Sequence, residues 1–84
     1  MAKYKVYSDP GHAWIKVSRQ EVSSLSLSPS SYSYERGEDV FLEEDADATA
    51  FFNAKAALGE SIEQVQSYNN NQSIVRSFDR YQAR

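Results

Sequence analysis

Val40-Phe41-Leu42-Glu43-Glu44-Asp45-Ala46-Asp47-Ala48-Thr49-Ala50-Phe51-Phe52-Asn53-Ala54-Lys55-Ala56-Ala57-Leu58-Gly59 is the stretch whose reading decides the fold. It changes period in mid-course. Val40 to Glu43 is a short β-tolerant run, whereas the alanine-rich remainder repeats its apolar residues at helical spacing. Glu44 or Asp45 is placed to cap a helix over about 45–58, and the acids around it suit the positive end of the helix dipole. Ala50, Phe51, Ala54, Ala57 and Leu58 form the expected core face, and Gly59 is the expected stop. A strand feeding directly into one substantial helix points to a mixed α and β domain.

Outward from that stretch, the flanking sequence is mostly strand-like. Lys3 to Tyr7 alternates, with Tyr4 and Val6 on one face. Ser8-Asp9-Pro10-Gly11 is a turn, because proline presets one backbone angle and glycine permits a positive one. Ala13 to Val17 alternates again, with Ala13, Ile15 and Val17 inward and Trp14 and Lys16 opposite. These two runs make a first hairpin. Ser18-Arg19-Gln20-Glu21 is a capping box, followed by a short helix or helical turn carrying Val22 and Leu25. Pro29 breaks the serine-rich connection that follows, in which Leu27 is the apolar anchor. Ser31 to Glu35 places Tyr32 and Tyr34 on one face, Arg36-Gly37-Glu38-Asp39 turns the chain, and Val40 to Glu43 completes a second hairpin.

Beyond Gly59, Ile62 to Tyr68 reads as a further strand and Asn69-Asn70-Asn71 as a turn. Ser73 to about Gln82 reads as a short helix with Ile74, Phe78 and Tyr81 inward, and a strand competes over Ser73 to Phe78. The expected fold is a single α+β domain over residues 1–84. A small antiparallel sheet of two hairpins, four to five strands in all, is packed by one main helix and a short C-terminal helix.

Eighty-four residues bury only about 60–65% of their unfolded surface, so the core must be small. Large rings help: the chain has six tyrosines, four phenylalanines and one tryptophan. It has no cysteine, which excludes disulfides and thiolate metal sites and favours the cytoplasm over secretion. No run approaches the roughly 20 apolar residues of a membrane span, and the N-terminus lacks the apolar core of a signal peptide.

The formal net charge of −3 argues against a simple nucleic-acid binder, and the distribution of charge says more. Six acids (Glu38, Asp39, Glu43, Glu44, Asp45 and Asp47) fall within ten residues with no base among them. They read as helix capping and a solvated face, or as a negative surface offered to a basic groove that normally holds nucleic acid. An EF-hand calcium loop is excluded, since its alternating ligands and central glycine are absent. Arg76, Arg80 and Arg84 would form one stripe on a C-terminal helix. Tyr32 and Tyr34, near Trp14 or Tyr7, are core residues or a base-stacking platform.

Asp9-Pro10-Gly11-His12 resembles the opening of zinc-dependent cell-wall amidases, whose histidine binds the metal. Catalytic zinc needs three protein ligands, and His12 is the only histidine in the chain. The zinc site cannot be completed, so the string reads as a hairpin turn with His12 a rim residue or an exposed contact for a partner. A serine-hydrolase triad would have to use the same histidine, and the Gly-x-Ser-x-Gly elbow is missing. With three glycines in all, there is no phosphate-cradling loop. The expectation is a protein without catalytic residues, metal or cofactor.

Asp9-Pro10-Gly11-His12-Ala13-Trp14-Ile15-Lys16-Val17, Ser31-Tyr32-Ser33-Tyr34-Glu35-Arg36-Gly37 and Leu42-Glu43-Glu44-Asp45-Ala46-Asp47 together resemble a family of small proteins encoded by bacteriophages, prophages and plasmids. Ala13 stands where that family carries glycine, which bears on the shape of the turn. The family brings no activity to transfer. It implies a mobile-element setting, in which short acidic proteins block host defence, as anti-CRISPR and anti-restriction proteins do.

The leading expectation is therefore a non-enzymatic inhibitor or modulator of a host protein, acting through the Glu38–Asp47 surface. Trp14, Tyr32, Tyr34, Arg76, Arg80 and Arg84 are secondary contacts. A small RNA- or single-strand-binding module using the tyrosines and the arginine stripe is the alternative, and a virion or scaffold subunit a third. No membrane partner is expected, and an exposed aromatic sheet face could pair with a second copy.

Overall fold

Tyr4, Val6, Ile15, Val17, Val40 and Leu42 alternate with their neighbours along three strands and are buried together on one side of a sheet. The computed structural model of the chain describes residues 2–83. Its strands are β1 (Ala2–Ser8), β2 (Ala13–Ser18), β3 (Tyr34–Arg36), β4 (Asp39–Glu43), β5 (Ile62–Tyr68) and β6 (Asp79–Arg80). Its helices are α1 (Arg19–Ser24) and α2 (Ala46–Ala57), with one 3-10 turn at Ile74–Ser77. The fold is α+β.

The sheet order is β5-β1-β2-β4-β3-β6. Both expected hairpins form: β1 pairs antiparallel with β2, Val6 opposite Ile15, and β3 with β4, Tyr34 opposite Phe41. Strand β3 begins only at Tyr34, however, because residues 31–33 turn, which takes Tyr32 off the strand face expected to hold it with Tyr34. The hairpins join through β2 and β4, where Ile15 faces Leu42 and Val17 faces Val40. Two details of the expected sheet are corrected. It has six strands, and it is mixed, because β5 runs parallel to β1. The cause is α2, which carries the chain from β4 across the sheet and delivers β5 to the far edge in the same direction as β1.

Helix α2 lies where expected, but its inward face is shifted. Ala48 and Phe51 are buried and Phe52 is half-buried, whereas Leu58 is 59% exposed and Ala50 is exposed. Lys55 continues the stripe one turn on. Its side chain is only 12% exposed, lying over the rings of Tyr4 and Phe51 and ion-paired to Glu21 and Glu60. The Lys55 ammonium is held well above its ordinary pKa, chiefly by the hydrogen bond to Glu60 and by Tyr4. A long aliphatic stem with a charged tip thus occupies a place that residue type alone assigns to solvent.

Asp45 is the N-cap by position, but its side chain caps nothing; its own N–H is held by the Glu43 carboxylate at 2.9 Å. At the other end Gly59, at φ +71°, closes a Schellman motif, with Glu60 N–H donating to Lys55 O and Gly59 N–H to Ala56 O. Helix α1 is opened by the expected capping box of Ser18 and Glu21. It ends in the same Schellman pattern, Leu27 N–H to Val22 O and Ser26 N–H to Ser23 O, with Ser26 at φ 55° where glycine is usual.

The opposite side of the sheet carries a second, aromatic core of Trp14, Tyr34, Phe41 and Val75, flanked by Tyr7 and Phe78. The segment Ser73–Phe78 covers it. The C-terminal helix expected over Ser73 to Gln82 is therefore corrected to the short 3-10 turn followed by β6, which pairs with β3. Val75 is fully buried, Phe78 is half-buried, and Ile74 points outward at 60% exposure. Adjacent residues here serve a flat sheet face, so a 3.6-residue helical stripe has nothing to match.

A mixed-charge aromatic cleft

The first hairpin turn is built around the Asp9 carboxylate. Its Oδ1 accepts the N–H groups of Gly11 and His12, closing the turn locally. Its Oδ2 accepts Ser73 N–H at 2.9 Å and Arg76 Nε at 2.7 Å, while Arg76 Nη2 donates to Oδ1 at 2.9 Å. Five N–H donors on one buried carboxylate stabilise its charged form. Led by Arg76 and then Ser73, they hold Asp9 far below the ordinary carboxylate range. The pair fastens the C-terminal segment over Trp14, with the Arg76 guanidinium 5.3 Å from the ring centre. A Cβ on Gly11 would lie 2.9 Å from Arg76 Nη2, which the carboxylate pins, so this glycine is required by close approach.

A second carboxylate organises the other side of the same region. Asp47, in the first turn of α2, accepts Ser30 N–H, Ser30 Oγ at 2.7 Å and Ser33 Oγ at 2.5 Å, all on Oδ2. Ser33, fully buried, also accepts Glu43 N–H. The serine-rich loop is thereby tied to the start of α2, and Tyr32 at its tip is left 69% exposed.

Between these two anchors lies a cleft of about 620 Å³. Trp14, Tyr32 and Tyr34 supply its rings, and Glu43, Asp45 and Asp47 line the helix side. His12, Arg76 and Arg80 line the side of the hairpin turn and C-terminal segment. Arg80 sits 5.3 Å from the Tyr34 ring centre and donates to Ser31 O at 3.0 Å. Both arginines are thus occupied, one by Asp9 and one by Tyr34 and Ser31.

The sequence-derived site residues sort unevenly onto this geometry. Trp14, Tyr32, Tyr34, Arg76 and Arg80 come together although they lie on β2, the serine-rich loop, β3, the 3-10 turn and β6 respectively. The arginines do so without a helix, and Arg84 lies outside the described residues. The acidic run does not form one patch. Glu38 and Asp39 sit at one end of β4 and Glu43 to Asp47 at the other, about 13 Å away at strand rise. At the far end Glu38 faces Arg19 at 3.7 Å and Asp39 faces Lys16 at 4.0 Å. Glu44 does not line the cleft, but its carboxylate lies 3.9 Å from Nδ1 of His12 at the cleft's edge.

Sequence reading missed Asp9, Ser30 and Ser33 as organisers of the site. The Asp-Pro-Gly turn carried a usable signal for the first, since aspartate often bonds to turn amides, but nothing local announced its partner 67 residues on. Among the described residues no group of three or more His, Asp or Glu side chains is arranged to hold a metal ion, and no helix is long and apolar enough to cross a membrane.

Fold and cleft define a small α+β domain with a concave, net-acidic, aromatic-floored cleft. No protein-family model, curated protein or solved structure matches the chain.

Proposed function

We propose that the chain is a non-catalytic binding protein whose cleft receives a basic side chain or short basic segment of a partner protein. One observation carries the reading. Glu43, Asp45 and Asp47 converge with the exposed Tyr32 on one cleft whose two arginines are already engaged. The uncompensated charge is therefore negative, and a lysine or arginine entering it meets carboxylates together with the exposed ring of Tyr32. In the mobile-element setting that the sequence resemblance implies, the partner is a host protein in the host cytoplasm. A basic nucleic-acid-binding groove on that protein offers the complementary chemistry, and occupying the groove would block it.

Direct binding of RNA or single-stranded DNA is less favoured by the same geometry. Arginines cover Trp14 and Tyr34 rather than leaving their faces to bases, and carboxylates line the wall where phosphates would run. Asp45→Lys is the discriminating substitution, because the Asp45 side chain makes no cap hydrogen bond that the helix would lose. Titration of an oligo-arginine peptide at low salt, followed by Trp14 fluorescence, is expected to weaken by about tenfold or more in this variant. A single-stranded oligonucleotide should leave the fluorescence of the parent protein unchanged. Equal peptide affinity in both proteins, or strong quenching by the oligonucleotide, would reject the proposal.

A further inference from the structure

The two edges of the sheet are unlike. At one, β6 is two residues long and both are charged, Asp79 and Arg80, a form that discourages pairing with another chain. At the other, β5 runs seven residues in unbroken register with β1, from Ala2 opposite Ile62 to Ser8 opposite Tyr68. It has none of the usual protections: no proline, no glycine, no lysine and no bulge, with Glu63 as its one charge. Five of its seven residues are exposed, among them Val65 at 42% and Tyr68 at 64%. Its outward N–H and C=O groups form an open template.

From this edge we infer that β5 is a homodimerisation strand, pairing antiparallel with β5 of a second copy about a two-fold axis at Val65. The argument is the self-complementarity of Ile62-Glu63-Gln64-Val65-Gln66-Ser67-Tyr68. Centring on Val65 is the register that pairs all seven residues. It sets Ile62 against Tyr68, Glu63 against Ser67, Gln64 against Gln66 and Val65 against itself in the partner copy. Every pair is apolar with apolar or polar with polar, and no like charges oppose each other. Sliding the axis to Glu63 would place that carboxylate against its own copy. Opposed residues also share a sheet face. Ile62, Gln64, Gln66 and Tyr68 align with the Tyr4 and Val6 side, and Glu63, Val65 and Ser67 with the Lys3 and Lys5 side. The result is one continuous sheet of twelve strands. This surface lies at the opposite edge of the sheet from β6, and the inference is independent of the cleft's role.

Two seven-residue edges bury less than the 1,200–2,000 Å² of a standard interface, so affinity of about micromolar or weaker is expected. Sedimentation equilibrium of the full chain from about 10 μM to 1 mM tests the proposal. The weight-average mass of the parent protein should rise from 9.5 kDa toward twice that value. Val65→Lys and Val65→Glu should each stay monomeric with an unchanged circular dichroism spectrum, since either places like charges in contact at the axis. An equimolar mixture of the two should recover the dimer through a Lys–Glu pair. A parent protein that stays at monomer mass throughout overturns the inference. So does a Val65→Lys protein that dimerises as the parent does, or a mixture that stays monomeric while the parent dimerises.

Discussion

The two faces of this sheet are closed by different physics. On one, α2 and α1 bury Val6, Ile15, Val17, Val22, Val40, Leu42, Ala48 and Phe51 in an aliphatic core with Phe51 at its centre, fully buried. On the other, a short irregular segment contributes one fully buried aliphatic residue, Val75, and is held down by the Asp9–Arg76 ion pair. The helix-covered face is built on area removed from water, distributed over many residues, with the Glu21–Lys55 pair at its margin. The segment-covered face depends on one carboxylate whose charge and five donors act together. The contrast teaches that the cleft, which borders Trp14 and Arg76, stands on the face that can open locally.

Phe51→Ala tests the aliphatic side and should have the largest effect. Removal of the ring costs about 3–5 kcal/mol, a large part of what a domain of this size possesses, and should appear as a lowered urea midpoint for all probes together. Asp9→Ala should separate the faces instead. The N–H groups of Ser73 and Arg76 lose their shared acceptor, and amides of the 3-10 turn are expected to exchange about tenfold faster or more. Amides of β2 and β4 should change less. Uniform acceleration across the sheet would contradict the separation drawn here.

Acid should reproduce the Asp9 result without mutation. The folded-state pKa of Asp9 is depressed by Arg76 and the backbone donors below the ordinary 3.8. Its stabilisation is therefore fully present above pH 3.8 and declines as pH falls toward the folded value, where the carboxylate is finally protonated. Glu21 contributes in the same direction. Burial opposes its ionisation, but hydrogen bonds from Tyr4 and Ser18 and the charge of Lys55 outweigh that and lower its pKa. Trp14 emission should thus be constant at neutral pH and shift to the red only below about pH 4, and Asp9→Asn should remove most of that acid transition.

The smallest effect concerns the aliphatic side, where Ser26 adopts the left-handed conformation that brings Leu27 onto the core. Ser26→Gly relieves that backbone and should raise stability by about 0.5–1 kcal/mol, measured by thermal unfolding, with the cleft unaltered. A loss of stability would mean that the greater freedom of glycine in the unfolded chain outweighs the relief.

Much of the architecture was legible because its causes are local. Alternation marked β1 and β2, a short β-tolerant run marked β4, and the expected bounds of β5 match the observed ones. The Ser18–Glu21 box and Gly59 marked helix ends through hydrogen bonds that span only a few residues. The phase of α2 was harder to read, since alanines at nearly every turn permit several apolar stripes and only the docked sheet selects Ala48, Phe51, Phe52 and Lys55. For the cleft, residue types were legible and grouping was not. Six acids adjacent in sequence were divided between the two ends of a strand, while Trp14, Tyr34, Arg76 and Arg80 were gathered from afar.

By itself the chain's order of residues determined the hairpins, the main helix, the absence of thiol chemistry and the kinds of side chain available for recognition. These follow from periodicity and from bonds closed within a turn or two. The parallel placement of β5, the covering of the aromatic face and the joining of Asp9 to Arg76 were decided only in the tertiary structure. They depend on which distant surfaces bury one another, and a carboxylate 67 residues from its guanidinium carries no local mark of the partner that folding brings to it.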